Sequence, residues 1–266
     1  MSISPNSSTL RWSVLENKYI EKTIDLQINS YGYKGLAIGL IIIITWGAQT
    51  VFLLNSEFSG TFRYLIPVMI ILQTFLYTGL FITTHDAMHG LVLPKHPALN
   101  NYIGCLAVLL YALFSYTKLN KKHQEHHKFP ASDKDPDFHD GKHRSFLAWY
   151  VNFLSNYLSL TQIIGMAIIF NILKHVLGIP TANLLLFWVI PAISSTFQLF
   201  YFGTYLPHRE LTSGYTDRNR ARSNSYSAWL SFLTCYHFGC HWEHHAYPQI
   251  PWWQLSKIRK QLNLYN

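Results

Sequence analysis

Fourteen histidines occur in 266 residues, and nine of them fall in three tight groups. His85 and His89 sit in HDAMH, His123, His126 and His127 in HQEHH, and His237, His241, His244 and His245 in HFGCHWEHH. Residues three and four apart share one face of a helix. The first two groups fit that spacing, and the third predicts a single stripe over two turns. Each group can therefore aim several imidazoles at one point, and neutral imidazole ligates Fe, Zn or Cu. A lone histidine near a membrane interface is ordinarily a solvated side chain. Nine in helical register, without a metal, add only desolvation cost and repulsion when protonated. A zinc site uses three or four protein ligands, so nine or ten imidazoles suit two metal ions with four or five nitrogens each. Spacing alone does not choose the metal.

The elements that must carry these groups are apolar helices. Four blocks, about 35–54, 62–84, 159–178 and 183–206, reach the roughly 20 residues needed to cross a bilayer core. Short connectors near Asn55–Thr61 and Ile179–Ala182 join them as two hairpins. A fifth block, about 98–116, opens with Asn100 and Asn101 and is expected to lie in the interface or re-enter. Four spans put 19 of the 21 Lys and Arg residues on one side, leaving Arg63 and Lys174 opposite. By the positive-inside tendency that side is cytoplasmic and holds both termini. All three histidine groups fall there too, whereas five spans would separate the first from the second. The expected fold is thus an all-α integral membrane protein: four transmembrane helices in two hairpins, under a cytoplasmic helical cap that carries the histidines.

Composition agrees with one membrane-embedded domain over 35–266, preceded by a polar lead-in at 1–34 that lacks a signal peptide's pattern. Only 13% of residues are charged, against about 25% in soluble domains. The +8 net charge suits anionic lipid headgroups and shows no basic stripe of a nucleic-acid binder. Cys105, Cys235 and Cys240 give neither a disulfide framework nor a CxxC spacing.

HDAMH, HQEHH and HWEHH resemble the HxxxH, HxxHH and HxxHH pattern of the membrane fatty-acid desaturase and hydroxylase superfamily. The flanks are more particular. THDAMHGLVLP (84–94), LYALFSYTKLNKKHQEHH (110–127), DPDFH (135–139), YLPHR (205–209) and SFLTCYHFGCHWEHHAYPQIPWWQL (231–255) resemble the bacterial and cyanobacterial β-carotene ketolases. The resemblance runs from about residue 35 to residue 255.

It implies two non-haem, histidine-ligated Fe ions, O₂ as co-substrate, electrons from a ferredoxin-type donor, and residence in an inner or thylakoid membrane. It also implies oxygenation at C4 and C4′ of β-ionone rings, from β-carotene through echinenone to canthaxanthin, by two hydroxylations and a dehydration. His208 in YLPHR becomes a tenth ligand or an interfacial residue beside Arg209. Asp86, Glu125 and Glu243 lie inside the boxes, where a carboxylate can fix a ligand ring by accepting its free N–H, or can simply face solvent. Asp135 and Asp137 are open to the same two readings, the second being a turn around Pro136. His96, His139, His143 and His175 stay outside the ligand set. An acyl-lipid desaturase or hydroxylase would share the spans, boxes and irons, and only the flanks argue against it. A metal transporter would place ligands within the spans near the midplane; here they sit at or beyond span ends.

Overall fold

The computed structural model describes residues 32–263. The lead-in at 1–34, with Arg11, Lys18 and Lys22, therefore lies almost wholly outside the described residues. Among the described residues every regular element is helical. The helices are α1 (Lys34–Asn55), α2 (Ile66–Met88, entered by a 3₁₀ turn at Gly60–Leu65), α3 (Pro97–Ala112) and α4 (Tyr116–Lys128). They continue with α5 (Phe146–Tyr157), α6 (Leu160–His175), α7 (Thr181–His208), α8 (Ala228–Cys235), α9 (His241–Ala246) and α10 (Trp252–Asn263).

Helix α1, the continuous Gly60–Met88 helix and α7 are each long and apolar enough to cross a membrane. The number rises to five if two bent pairs, α3–α4 at 101° and α5–α6 at 87°, each count as one span. The outward faces carry Ile41, Ile44, Phe52, Ile71 and Ile193 in the open, an apolar exposure that suits lipid and not water. The chain is a membrane protein.

Two contacts fix how the long helices run. Gly35, at the start of α1, lies so close to the Leu91 carbonyl that a Cβ there would sit 2.5 Å from its oxygen. Asn183, at the start of α7, donates to the carbonyls of Leu53, Leu54 and Ser56 at the far end of α1. Helices α2 and α7 therefore finish at the end where α1 begins. Side-chain hydrogen bonds tie them within the bundle: Gln73 to Thr50 at 2.7 Å, and Thr78 to Ser195 at 2.9 Å. Such bonds glue helices where solvent cannot compete.

Helix α3 descends beside α2 from the histidine end. Asn100 meets Ala87, Thr84 donates to the Gly104 carbonyl, and Tyr111 packs on Tyr77. The chain then returns, and the Tyr116 hydroxyl donates to Asn101 at 3.1 Å. Helix α7 contains two π-helical stretches, Leu185–Val189 and Phe200–Tyr205. Each precedes a proline, Pro191 or Pro207, whose ring clashes with the carbonyl four residues back and widens the turn. The tail holds an element the sequence reading places wholly in the cap: α8. It inserts beside α2, with Phe232 and Tyr236 against Phe75 and the Tyr236 hydroxyl donating to the Phe75 carbonyl.

Candidate metal centre

Four elements deliver the imidazoles. The end of α2 supplies His85 and His89, α4 supplies His123, His126 and His127, the last turn of α7 supplies His208, and α9 supplies His241, His244 and His245. They sort into two groups: His85, His89, His123, His127 and His244, and then His126, His208, His241 and His245. Within each group the nitrogens lie within 4.8 Å of one another. In the first, Nε2 atoms approach at 2.7 Å for His89–His123, 2.9 Å for His127–His244 and 3.2 Å for His85–His244. In the second they approach at 2.9 Å for His208–His241 and 3.1 Å for both His126–His245 and His241–His245.

These residues fit metal ions. The Nδ1 of His126 faces the Asp135 carboxylate and that of His208 faces the Arg220 carbonyl, so both are N–H donors. When neutral, each then has a bare Nε2. Protons on His241 and His245 could satisfy those two, but would leave His241 and His245 facing each other N–H to N–H at 3.1 Å, and the alternative is a charged His126 buried among the rings. A cation that takes all four lone pairs removes the conflict.

Burial, and then neighbouring rings, push His123, His241, His244 and His245 well below the usual imidazole range, and burial takes His89 down to about 4. A neutral ring is the form that ligates. His126 differs. Burial disfavours its charge, but Asp135 and Asp137 outweigh that and hold it up at about 9. Metal binding there displaces a proton from Nε2 while Asp135 keeps the one on Nδ1.

One cavity touches both groups, at His85 and His123 of the first and His126 and His241 of the second. Its remaining wall is mainly apolar and aromatic, with Phe81, Tyr111, Phe114, Phe153, Leu199 and Phe238 from α2, α3, the α3–α4 turn, α5, α7 and the α8–α9 turn.

A fatty acid desaturase family model matches residues 62–172 and 155–263. The chain is 44% identical over 189 residues to a β-carotene ketolase of Paracoccus sp. (strain PC1), covering 70% of this chain and 76% of that protein. The chain belongs to the fatty acid desaturase family, in its β-carotene ketolase group. It is also 45% identical over 208 residues to a β-carotene ketolase of Haematococcus lacustris, across 76% of this chain and 64% of the relative. A zeaxanthin 4-ketolase of Chlamydomonas reinhardtii is 41% identical over 240 residues, 85% of this chain and 53% of the relative. The chain thus spans about half to two thirds of the length of these algal relatives.

In this ketolase-group chain, His237 stands outside both imidazole groups. The expected helical stripe from 237 to 245 is broken, because Tyr236 and His237 both take left-handed backbone, at φ 46° and 63°. A turn follows, and α9 begins only at His241. His237 is buried against Trp252 with its Nδ1 unpartnered among the described residues.

The carboxylates divide. Asp135 accepts from His126 Nδ1 at 2.9 and 3.0 Å, and Asp137 stands 3.8 Å from the same nitrogen. Asp86 is 3.5 Å from His85 Nδ1 but accepts instead from the Trp252 backbone N–H at 3.3 Å. Glu243 takes the Ser223 hydroxyl and lies 3.6 Å from Arg259, so it ties α9 to the 217–227 segment and α10 and not to a ligand ring. Glu125 is half-buried on α4. The Arg220 carbonyl, which fixes His208 at 2.8 Å, leaves no trace in the sequence because any residue offers a carbonyl. Tyr157, which donates to Asp137, is equally silent as one of 17 tyrosines.

Proposed function

We propose that the chain is a carotenoid ketolase that inserts a keto group at C4 and C4′ of β-ionone rings, by two O₂-dependent hydroxylations and loss of water. The observation that carries this reading is the meeting of two all-imidazole groups with one apolar, aromatic cavity. Two ketolase relatives above 40% identity support the substrate class. In the same reading, residues 35–266 form one membrane-embedded domain with four spans, α6 being the fourth. The Lys- and Arg-rich segments 85–158 and 207–266, which hold all nine ligands, face the cytoplasm.

His85, His89, His123, His127 and His244 hold one iron and His126, His208, His241 and His245 the other, with His237 left out. Iron supplies the oxygen activation that an allylic C–H requires and no side chain offers. The chain's own work is positioning. Asp135 and the Arg220 carbonyl set the tautomers of His126 and His208. The aromatic wall takes an apolar ring and keeps water away. Each hydroxylation consumes one O₂ and two electrons, which a ferredoxin-type donor delivers, and the doubly hydroxylated C4 loses water to give the ketone.

The test is expression in cells that accumulate β-carotene, with pigments separated and identified by mass. Echinenone and canthaxanthin should appear with the wild type and vanish with His126→Ala or His244→Ala. An unchanged β-carotene profile from folded, iron-loaded protein would sink the substrate assignment and turn attention to acyl lipids.

A further inference from the structure

Apart from the ligand rings, the cavity wall carries few polar side chains, and most are engaged elsewhere. The Tyr111 hydroxyl donates to Ser195 at 3.1 Å, and the Thr196 hydroxyl is taken up by Tyr150 and the Ile193 carbonyl. Beside His126 the wall holds a different arrangement, Tyr157 with Asp137, both bordering the cavity. The Tyr157 hydroxyl donates to Asp137 Oδ1. Asp137 is itself held, its N–H donating to Asp135 at 2.9 Å and its carbonyl accepting the Trp149 indole N–H at 2.8 Å. The Lys122 ammonium lies 4.6 Å above the Tyr157 ring. The pair is therefore fixed on both sides, in the cavity that His123 and His126 also line.

An unmodified β-ionone ring has no atom that can use such a pair. The alcohol made by the first oxygenation does. A hydroxyl in an apolar cavity is costly unless it is hydrogen-bonded, and the alcohol must stay long enough to be oxygenated again at the same carbon. A tyrosine oxygen that has given its proton to a carboxylate keeps lone pairs that can accept one. We propose that Tyr157, held by Asp137, binds the C4 hydroxyl of the ring alcohol and keeps it at the metal centre for the second oxygenation.

This rests on the ketolase reading. In that second step one atom of O₂ enters the remaining C4–H bond and the other leaves as water, with two electrons from two equivalents of an external one-electron donor and two protons from solvent. The resulting diol loses water to become the ketone. Tyr157 is a positioning residue and is not consumed.

The experiment supplies β-carotene and 4-hydroxy-β-carotene separately to membranes containing wild type, Tyr157→Phe or Thr204→Val, each checked for iron content. The second variant removes the hydroxyl of Thr204, which also lines the cavity. Tyr157→Phe should raise KM for the alcohol about tenfold. The ratio of alcohol to ketone released from β-carotene should rise by a similar factor, more than β-carotene consumption falls. Equal losses on both substrates, no change on either, or a shift produced by Thr204→Val alone would each overturn the assignment. Wild-type membranes that make neither alcohol nor ketone from β-carotene would overturn the ketolase reading itself, an outcome separate from any difference between variants.

Discussion

The carboxylate of Asp135 accepts the Nδ1–H of His126 through both oxygens, at 2.9 and 3.0 Å, and both side chains are buried. Backbone N–H groups of Ala131 and Asp137 hold that carboxylate in place at 2.8 and 2.9 Å. The bond leaves His126 Nε2 free for the second imidazole group. Replacing such an orienting partner lowers metal affinity about 10–100-fold. Asp135→Asn should therefore weaken one of two iron sites by that factor in chelator competition. Asp137→Asn, 3.8 Å from the ring, should lose less. Wild-type iron affinity in Asp135→Asn would remove the orienting role.

His237 and His241 are only four residues apart, yet the backbone break at 236–240 assigns them different fates. His241→Ala should lose the iron held by the four-histidine group, and His237→Ala should keep both. Metal analysis of purified protein reads this directly. A drop to about one iron per chain in His237→Ala would place that ring among the ligands after all.

Much of this centre was legible because it rests on periodicity. HDAMH and HQEHH continue or form helices, and a helix presents i and i+4 on one side, so the pairing of His85 with His89 and of His123 with His127 followed from spacing, whereas His126 turns to the second group. The third box failed in part because two successive left-handed residues, Tyr236 and His237, are a decision of tertiary packing. Gly239 is pressed against Asn224, where a Cβ would stand 2.2 Å from the amide nitrogen, and that contact closes the turn. Helix α8 was missed for a related reason. Eight residues, AWLSFLTC, are too few for a span and only become an inserted element when Phe75 of α2 is there to receive Phe232. The sequence left Glu243 open between holding a ligand ring and facing solvent, whereas the fold brings Ser223 and Arg259 to it.

Asn100 supports the first imidazole group from beneath. Its side chain accepts the N–H groups of Val92 and Leu93 at 3.1 and 3.2 Å and donates to the Ala87 carbonyl at 2.8 Å. These bonds close the turn that follows His89. Asn100→Ala leaves three buried backbone groups without that partner, a loss of about 3 kcal/mol. Thermal unfolding in detergent should show the lowered Tm, and iron should be lost at a lower temperature than from the wild type. An unmoved Tm would mean that water or a shifted turn satisfies those groups.

Leu199 belongs to the cavity wall and to neither imidazole group. It lines the cavity wall on α7 but lies nine residues before His208, more than two helical turns away. A tryptophan there fills space that a substrate ring needs, at an overpacking cost of about 1–3 kcal/mol. Leu199 is not one of the imidazole ligands, and the nearest of them along α7, His208, is the only one on its helix. Leu199→Trp should therefore retain both irons while pigment conversion falls at least about tenfold. Leu199→Ala, which enlarges the same wall, should keep conversion and relax the preference between ring types. Full conversion by Leu199→Trp would show that the substrate reaches the irons by another route, because a ring cannot share that space with an indole.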